Sequence, residues 1–430
     1  MYNRGVTIQN FEELATTPLR KDALTILEAG YAAINPRELI KSKLTLNGDE
    51  LCIEDETYTC SSYERIFFVA IGKCGIDAAA AFEEILGDRI TDGIVLDVRP
   101  TTLPHIRSFV GTHPYPSPAN VSATGEIMKM LTGITERDLV IVLISGGGSS
   151  LLCLPNEMDC DTLAHFTKLL MERGADIHEL NTVRKHLSRI HGGNLAKLCY
   201  PSKLISFILS DVPGNDISFI ASGPTVLDVT TIADAEAVLR KYNLINECQS
   251  ISCTLEETPK EQKYFEKVSN ILLMTNRDAL AAMQRSAEEL GYHARVLTDT
   301  LTGEARESGI SLIHEAKTDH ECVLAAGETT VTVPKPGKGG RNQEMVLGAL
   351  ASLPENLVFI AAASDGWDNS DVAGAIGDYA LFMCTVDKSL DTHQYLRENK
   401  SYTFFETAGG HIKTGRTGSN VADLFIVLRG

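Results

Sequence analysis

The chain has 430 residues, 43% hydrophobic and 22% charged, so it can bury a core, is not disordered, and is long enough to favour two domains over one. Its net charge of -18 argues against a general nucleic-acid or anionic-membrane surface, no apolar run approaches the ~20 residues of a membrane span, and residues 1–17 have neither a secretory core nor a transit-peptide composition. Ten cysteines without a CxxC pair or metal-like spacing predict a reduced, cytoplasmic chain with buried structural thiols; Cys74, in a glycine-rich loop, is the one to watch.

In chain order, the pattern predicts a strand over 65–71 and a helix over 77–86. A strand over 138–144 and a helix over 161–173 come next, the helix with Leu163, Phe166 and Leu170 at helical spacing and Gly174 as its stop. A third strand spans 203–209. Residues 246–262 are polar, poorly periodic and contain Pro259, and they predict a domain boundary. Beyond them come a strand over 271–275 and a helix capped by Asn276 with Leu280, Met283, Ala287 and Leu290 on its apolar face. Further strands are predicted over 294–297, 322–325, 358–362 and 424–428. Strands alternating with helices predict an α/β fold with a parallel sheet covered on both faces.

Ligands of such sheets bind beyond the carboxyl ends of the strands, so the loops there carry the information. In an acidic protein an anion must be bound locally, and Lys73 in Gly72-Lys73-Cys74-Gly75 sits between a strand and a helix N-terminus. Ser145, Gly146, Gly147, Gly148, Ser149 and Ser150 form the most telling loop, open to close backbone approach by an anion. It is not a P-loop or a G-x-S-x-G elbow, and Leu151 stands where a dinucleotide fingerprint needs its third glycine. Arg184 and Lys185 are adjacent cations; Lys185 reads as a solvated helix face and His186 as a structural hydrogen bonder. Asp211 follows a strand directly, where a carboxylate orients a hydroxyl, takes its proton or holds Mg²⁺; Asp216 reads as a turn cap. Glu328 follows another strand, Arg341 opens a helix after glycines as a fork for phosphate or carboxylate, and Asp365 and Asp368 offer further carboxylates. Residues 414–420 form one more glycine-rich loop. His178-Glu179 and His320-Glu321 lack the second histidine of an H-E-x-x-H zinc site.

The strings GKCG, THPYP, LISGGGSSLL, NTVRKHLSRIHGG, LSDVPGNDISFIASGPTV, GETTVTV, GKGGRNQE, SDGWDNSDVAGA and TGRTGSNVADL stand in one order over residues 72–428. In them the chain resembles the glycerate 2-kinases of the MOFRL family. That resemblance implies ATP-dependent, Mg²⁺-assisted phosphorylation of D-glycerate to 2-phosphoglycerate. It implies an N-terminal Rossmann-like domain over 1–245, a smaller C-terminal α/β domain over 263–430, and an active-site cleft between them. It puts Lys73, Asp211, Glu328, Arg341 and Asn420 in the catalytic site. The Ser145–Ser150 loop, Arg184 and Asp365 are then expected to bind substrate or nucleotide, with Mg²⁺ arriving on the nucleotide and touching Asp211 or Glu328. Ser117, Asn369, Ser370, His411 and Arg416 depart from the family pattern, at positions expected on loop rims. Three other readings stay open: a kinase for another short hydroxy or aldonic acid, a hydroxypyruvate reductase, and a non-catalytic sugar-phosphate sensor. The expected partners are small molecules, with homo-oligomerisation undecided.

Overall fold

A computed structural model describes residues 7–212, 214–250 and 253–430; Pro213, beside Asp211, and two residues of the polar 246–262 stretch lie outside the described residues. Pro36–Leu273 forms one compact unit, and Met1–Asn35 joins Met274–Gly430 in the other. The division therefore differs from two consecutive segments, 1–245 and 263–430. The reason is packing that local sequence does not announce. The helix Pro18–Ala33 lies against the helix Asn276–Glu289 so closely that a Cβ on Gly30 would come within 2.7 Å of the Met283 sulfur. The Arg20 guanidinium forks the Asp378 carboxylate at 2.6 and 2.8 Å, both side chains almost buried, and the Tyr31 hydroxyl donates to the Ala363 carbonyl at 3.0 Å.

The Pro36–Leu273 unit opens with the helix Pro36–Lys43 and then an antiparallel meander that sequence periodicity did not reveal: β1 (Leu44–Asn47), β2 (Glu50–Ile53) and β3 (Glu56–Thr59). Gly48-Asp49 makes its first turn, Gly48 at φ +63°. The main sheet follows: β4 (Arg65–Ile71), β5 (Asp92–Asp97), β6 (Ile106–Val110), β7 (Asp138–Ile144), β8 (Lys203–Leu209) and β9 (Val268–Met274), in the order β6-β5-β4-β7-β8-β9. The pairs β5/β6, β4/β5, β4/β7 and β7/β8 are parallel. That is the doubly wound order, whose direction of winding reverses between β4 and β7. The strands β4, β7 and β8 run as predicted because they are continuous apolar segments buried on both faces.

The other unit holds β10 (His293–Leu301), β11 (Glu321–Gly327), β12 (Leu357–Ala363), β13 (Gly374–Asp378), β14 (His411–Ile412) and β15 (Asp423–Arg429), ordered β10-β11-β15-β12-β13-β14. Only β10/β11 is parallel; the remaining four pairs are antiparallel. In the helix Asn276–Glu289 the cap is Thr275, which forms a capping box with Asp278. Asn276, the expected cap, lies inside the first turn and donates to the Asp299 carbonyl at 2.7 Å. Leu290, expected on its apolar face, is 40% exposed.

Cys248 and Cys253 form a disulfide, which corrects the expectation of uniformly reduced thiols; the Cys253 N–H donates to the Cys248 carbonyl and brings the two α-carbons to 4.8 Å. Most of the other cysteines, Cys74 among them, are buried thiols. Among the described residues no helix is long and apolar enough to cross a membrane.

Candidate active site

At the carboxyl ends of β4 and β7 the two glycine-rich loops are laced together through backbone. The Lys73 N–H donates to the Gly146 carbonyl at 3.0 Å, and the Ser145 N–H to the Ile71 carbonyl at 2.8 Å. The Ser145 hydroxyl donates to Ile71 and accepts from the Cys74 N–H, so this fully buried side chain is a strut. Only glycine fits at 72: φ is +113°, and a Cβ would lie 2.1 Å from the Ser145 hydroxyl. Gly147, at φ +83°, passes His113 and the Lys73 stem, and a Cβ on Gly148 would strike Ala221 at 2.6 Å. The N–H groups of Gly146 and Gly147 meet no acceptor among the described residues. Leu151, at the missing third glycine, is fully buried.

His113 and Asn120 were not singled out from sequence. Burial, and then the Lys73 charge, push His113 down to about 4, so its ring is neutral near pH 7. Asn120 is fully buried. Its amide donates to Thr112 and Ser150 carbonyls, and its oxygen accepts from Thr112 and Ser117, tying the 112–117 loop to the second glycine loop. Ser117 and Asn120 are spaced as a capping box at the start of the helix Pro118–Met130, a signal open to sequence reading.

Asp211 lies two residues beyond β8, close enough to Cys74 to act on its thiol. Burial mainly pushes that thiol up, with Asp97 and Asp211 adding to it, so Cys74 is inert. Asp216 caps its turn as predicted, accepting from the Ser218 N–H at 2.9 Å. Lys185 corrects its expectation: it is buried and paired with buried Asp228 at 3.2 Å, not solvated. His186 bonds Thr182 and Glu257, a structural role. Arg184 turns to neutral oxygens of Asn181 and Ser222.

In the second unit Glu328 follows β11, Ser364-Asp365 follows β12, and Asp423 opens β15 between them. Arg341 is a fork, and protein carboxylates occupy it: Nε and Nη2 reach Asp423 at 2.5 and 3.1 Å, and Nη1 reaches Glu328 at 2.5 Å. Asp423, not foreseen, is buried, whereas the Glu328 side chain is 46% exposed. Asp368, offered from sequence as a further site carboxylate, is a buried helix cap. It accepts from the Asn342 and Gln343 N–H groups and from the Gln343 amide at 2.9–3.0 Å. Burial, with Asp423 adding to it, raises its carboxyl to about 6. Asp365 is partly exposed and accepts from the Trp367 N–H. Asn420 is partly exposed in a loop fixed by Ser419 to Ile34 and by Val421 to Ser364.

The departures from the family pattern are not all at rims. His411 is buried against Tyr402, and Ser370 is buried beneath Gln343. Arg416 stacks on exposed Trp367 at 4.2 Å, and Asn369 adopts φ +51° while donating to Gly339. Among the described residues no group of three or more His, Cys, Asp or Glu can hold a metal ion. Mg²⁺ carried on phosphates needs only one or two protein carboxylates, and Asp211 and Glu328 can supply them.

A model described as a domain of unknown function, DUF4147, matches residues 22–256, and the MOFRL family model matches residues 321–423. The "D-glycerate 2-kinase" of Thermotoga maritima is 34% identical over 95% of this chain and 98% of its own. An Agrobacterium vitis relative, provisionally named a hydroxypyruvate reductase, is 36% identical over 85% of this chain and 87% of its own. The crystal structure of the Thermotoga maritima glycerate kinase superposes with a TM-score of 0.85 at 32% identity, covering 96% of this chain and all of that one. Two family models in tandem and relatives that match nearly end to end agree with the motifs: the chain belongs to the MOFRL family, among the glycerate 2-kinases.

Proposed function

We propose that the protein is a cytoplasmic glycerate 2-kinase that transfers the γ-phosphoryl of ATP to the 2-hydroxyl of D-glycerate. The observation that carries this reading is the gathering of Lys73, the Gly146-Gly147 backbone and Asp211 at the carboxyl ends of adjacent strands β4, β7 and β8, beside the reversal of the doubly wound sheet. Phosphoryl transfer asks little covalent chemistry of a protein; it asks for positioning and charge stabilisation. In our reading the 2-hydroxyl oxygen bonds to the γ-phosphorus as the bond to the β,γ-bridging oxygen breaks, and Asp211 takes the hydroxyl proton. Lys73 and Arg341 stabilise the charge on the transferring group. Glu328 and Asp423 hold Arg341, and Asn420 and Asp365 orient substrate. Ser149, Ser150 and the glycine N–H groups bind an anionic group. Asp211 or Glu328 would touch a Mg²⁺ ion brought by the nucleotide, which would neutralise phosphate charge.

The doubly wound order and the provisional name of one relative favour a reductase as second reading. Leu151 in place of the fingerprint glycine speaks against it. The test is incubation with ATP, Mg²⁺ and D-glycerate, coupled through enolase alone or through phosphoglycerate mutase plus enolase. Signal with enolase alone is expected. A requirement for the mutase means 3-phosphorylation, and NADH oxidation by hydroxypyruvate without ADP release replaces the kinase by the reductase. Lys73→Ala and Arg341→Ala should each lower kcat/KM roughly 10²-fold or more; near-normal values would remove them from the mechanism.

A further inference from the structure

Among the described residues Arg184 is a cation without an anion. It stands in the last turn of the helix Ile177–His186, and the oxygens near its guanidinium are neutral: Asn181 Oδ1 at 3.3 Å and Ser222 Oγ at 3.5 Å. Its neighbour Lys185 has a buried carboxylate, Asp228, so the fold neutralises one cation of the pair and leaves the other. Arg184 is only partly exposed, and burial lowers its pKa.

The surroundings are polar and preset. Ser222 is fully buried, donates to Asn181 Oδ1 at 2.7 Å and lies 3.0 Å from the Ser149 hydroxyl of the glycine-rich loop. Ala221, Ser222 and Gly223 all have left-handed backbone, at φ +49°, +57° and +57°. The Gly192 and Gly193 N–H groups pin them by donating to the Ser222 and Gly223 carbonyls at 3.0 and 2.9 Å. Such backbone persists where its surroundings enforce it and concentrates at ligand sites. His191 is buried, and neither of its ring nitrogens has a hydrogen-bond partner among the described residues. Burial, then the charges of Arg184 and Lys185, hold its ring neutral, with a pKa of about 3. A buried ring with an unused N–H and an unpaired guanidinium acting on it call for the same missing group, a hydrogen-bond-accepting anion.

We propose that Arg184, steadied by Asn181 and Ser222, is the subsite for the carboxylate of the hydroxy-acid substrate, and that His191 lends a neutral N–H to it. A single guanidinium among neutral partners balances one negative charge, which suits a carboxylate; a triphosphate calls for several cations or a metal. The assignment rests on the kinase reading, and it makes Arg184 the residue that distinguishes an acid from a neutral polyol.

The experiment measures KM for D-glycerate and for ATP, and D-glycerate binding by calorimetry without ATP, in wild type, Arg184→Met and Asn181→Asp. Arg184→Met should raise the KM and Kd for D-glycerate roughly 10- to 150-fold, the worth of a hydrogen bond to a charged group, and move the ATP KM less than about threefold. Asn181→Asp is isosteric and gives Arg184 an internal carboxylate. It should raise both glycerate constants about tenfold or more with the arginine still in place, which covers the case of Arg184→Met failing to fold. A rise in the ATP KM with glycerate unaffected would hand the pocket to a phosphate and overturn the assignment; so would wild-type glycerate binding in Asn181→Asp. If the wild type releases no ADP with D-glycerate, the kinase reading fails, and the calorimetric arm still judges the subsite.

Discussion

Asp423→Asn should disable Arg341 without unfolding the protein. The guanidinium is gripped on two arms by Asp423, at 2.5 and 3.1 Å, and on a third by Glu328. Asp423 is 1% exposed and Glu328 side chain 46% exposed, so the buried partner sets the direction of the fork and the exposed one follows. An asparagine presents a neutral oxygen to one arm and an amide donor to the other. One charge-assisted bond becomes a neutral one and a second is lost, about 2 kcal/mol of positioning. At about 1.4 kcal/mol per factor of ten this predicts kcat/KM down about thirtyfold. Burial already pushes the Asp423 carboxyl above its ordinary value, so a neutral isostere suits the site and melting should change by only a few degrees. The coupled enolase assay gives the rate, and Trp367, the sole tryptophan, reports unfolding of its own unit. A variant within threefold of wild-type kcat/KM, alongside an Arg341→Ala variant that loses 10²-fold, would refute the idea that Asp423 aims Arg341.

Arg20→Met should cost about 3–5 kcal/mol in urea unfolding followed at Trp367, because it strands a nearly buried Asp378 that both arms of Arg20 now satisfy. A loss under about 1 kcal/mol, typical of an exposed pair, would separate the helix Pro18–Ala33 from the unit that its contacts assign it to. Asp368 sets a pH dependence of opposite sense to the usual carboxylate. Its folded pKa of about 6 lies above the ordinary value of about 3.9, so its stabilising contribution is full below about pH 4 and is lost as pH rises through about 6. Relative to Asp368→Asn, the wild type should therefore lose about 2–3 kcal/mol between pH 4 and 7; parallel stability curves would contradict this.

Strands β4, β7 and β8 were legible residue for residue, because a strand buried on both faces is written as an unbroken apolar run. The loops after them were legible as chemistry for the same reason: each follows a strand whose end is sharp. What sequence withheld is what depends on a distant partner. Lys185 looks solvated until Asp228 is placed beside it, and Arg341 looks like an open fork until Asp423, 82 residues later, fills it. Asp368 looks like a ligand until the Asn342 and Gln343 N–H groups take it as a cap. The adherence of the helix Pro18–Ala33 to the second unit is of the same kind, since nothing in its apolar spacing names Met283 as its neighbour.

The place of β15 has a consequence for birth on the ribosome. Both β11 and β12 hydrogen-bond to it, so the middle of this sheet is built from residues 423–429, whereas Pro36–Leu273 is free to fold as soon as it has emerged. The helix Pro18–Ala33 is made long before β15, yet the sheet it packs on stays open until β15 is made. A chain stopped short of residue 423 would carry two unpaired strand edges, a feature that quality control and aggregation both act upon. The centre of this sheet therefore closes only when residues 423–429 join the strands made before them.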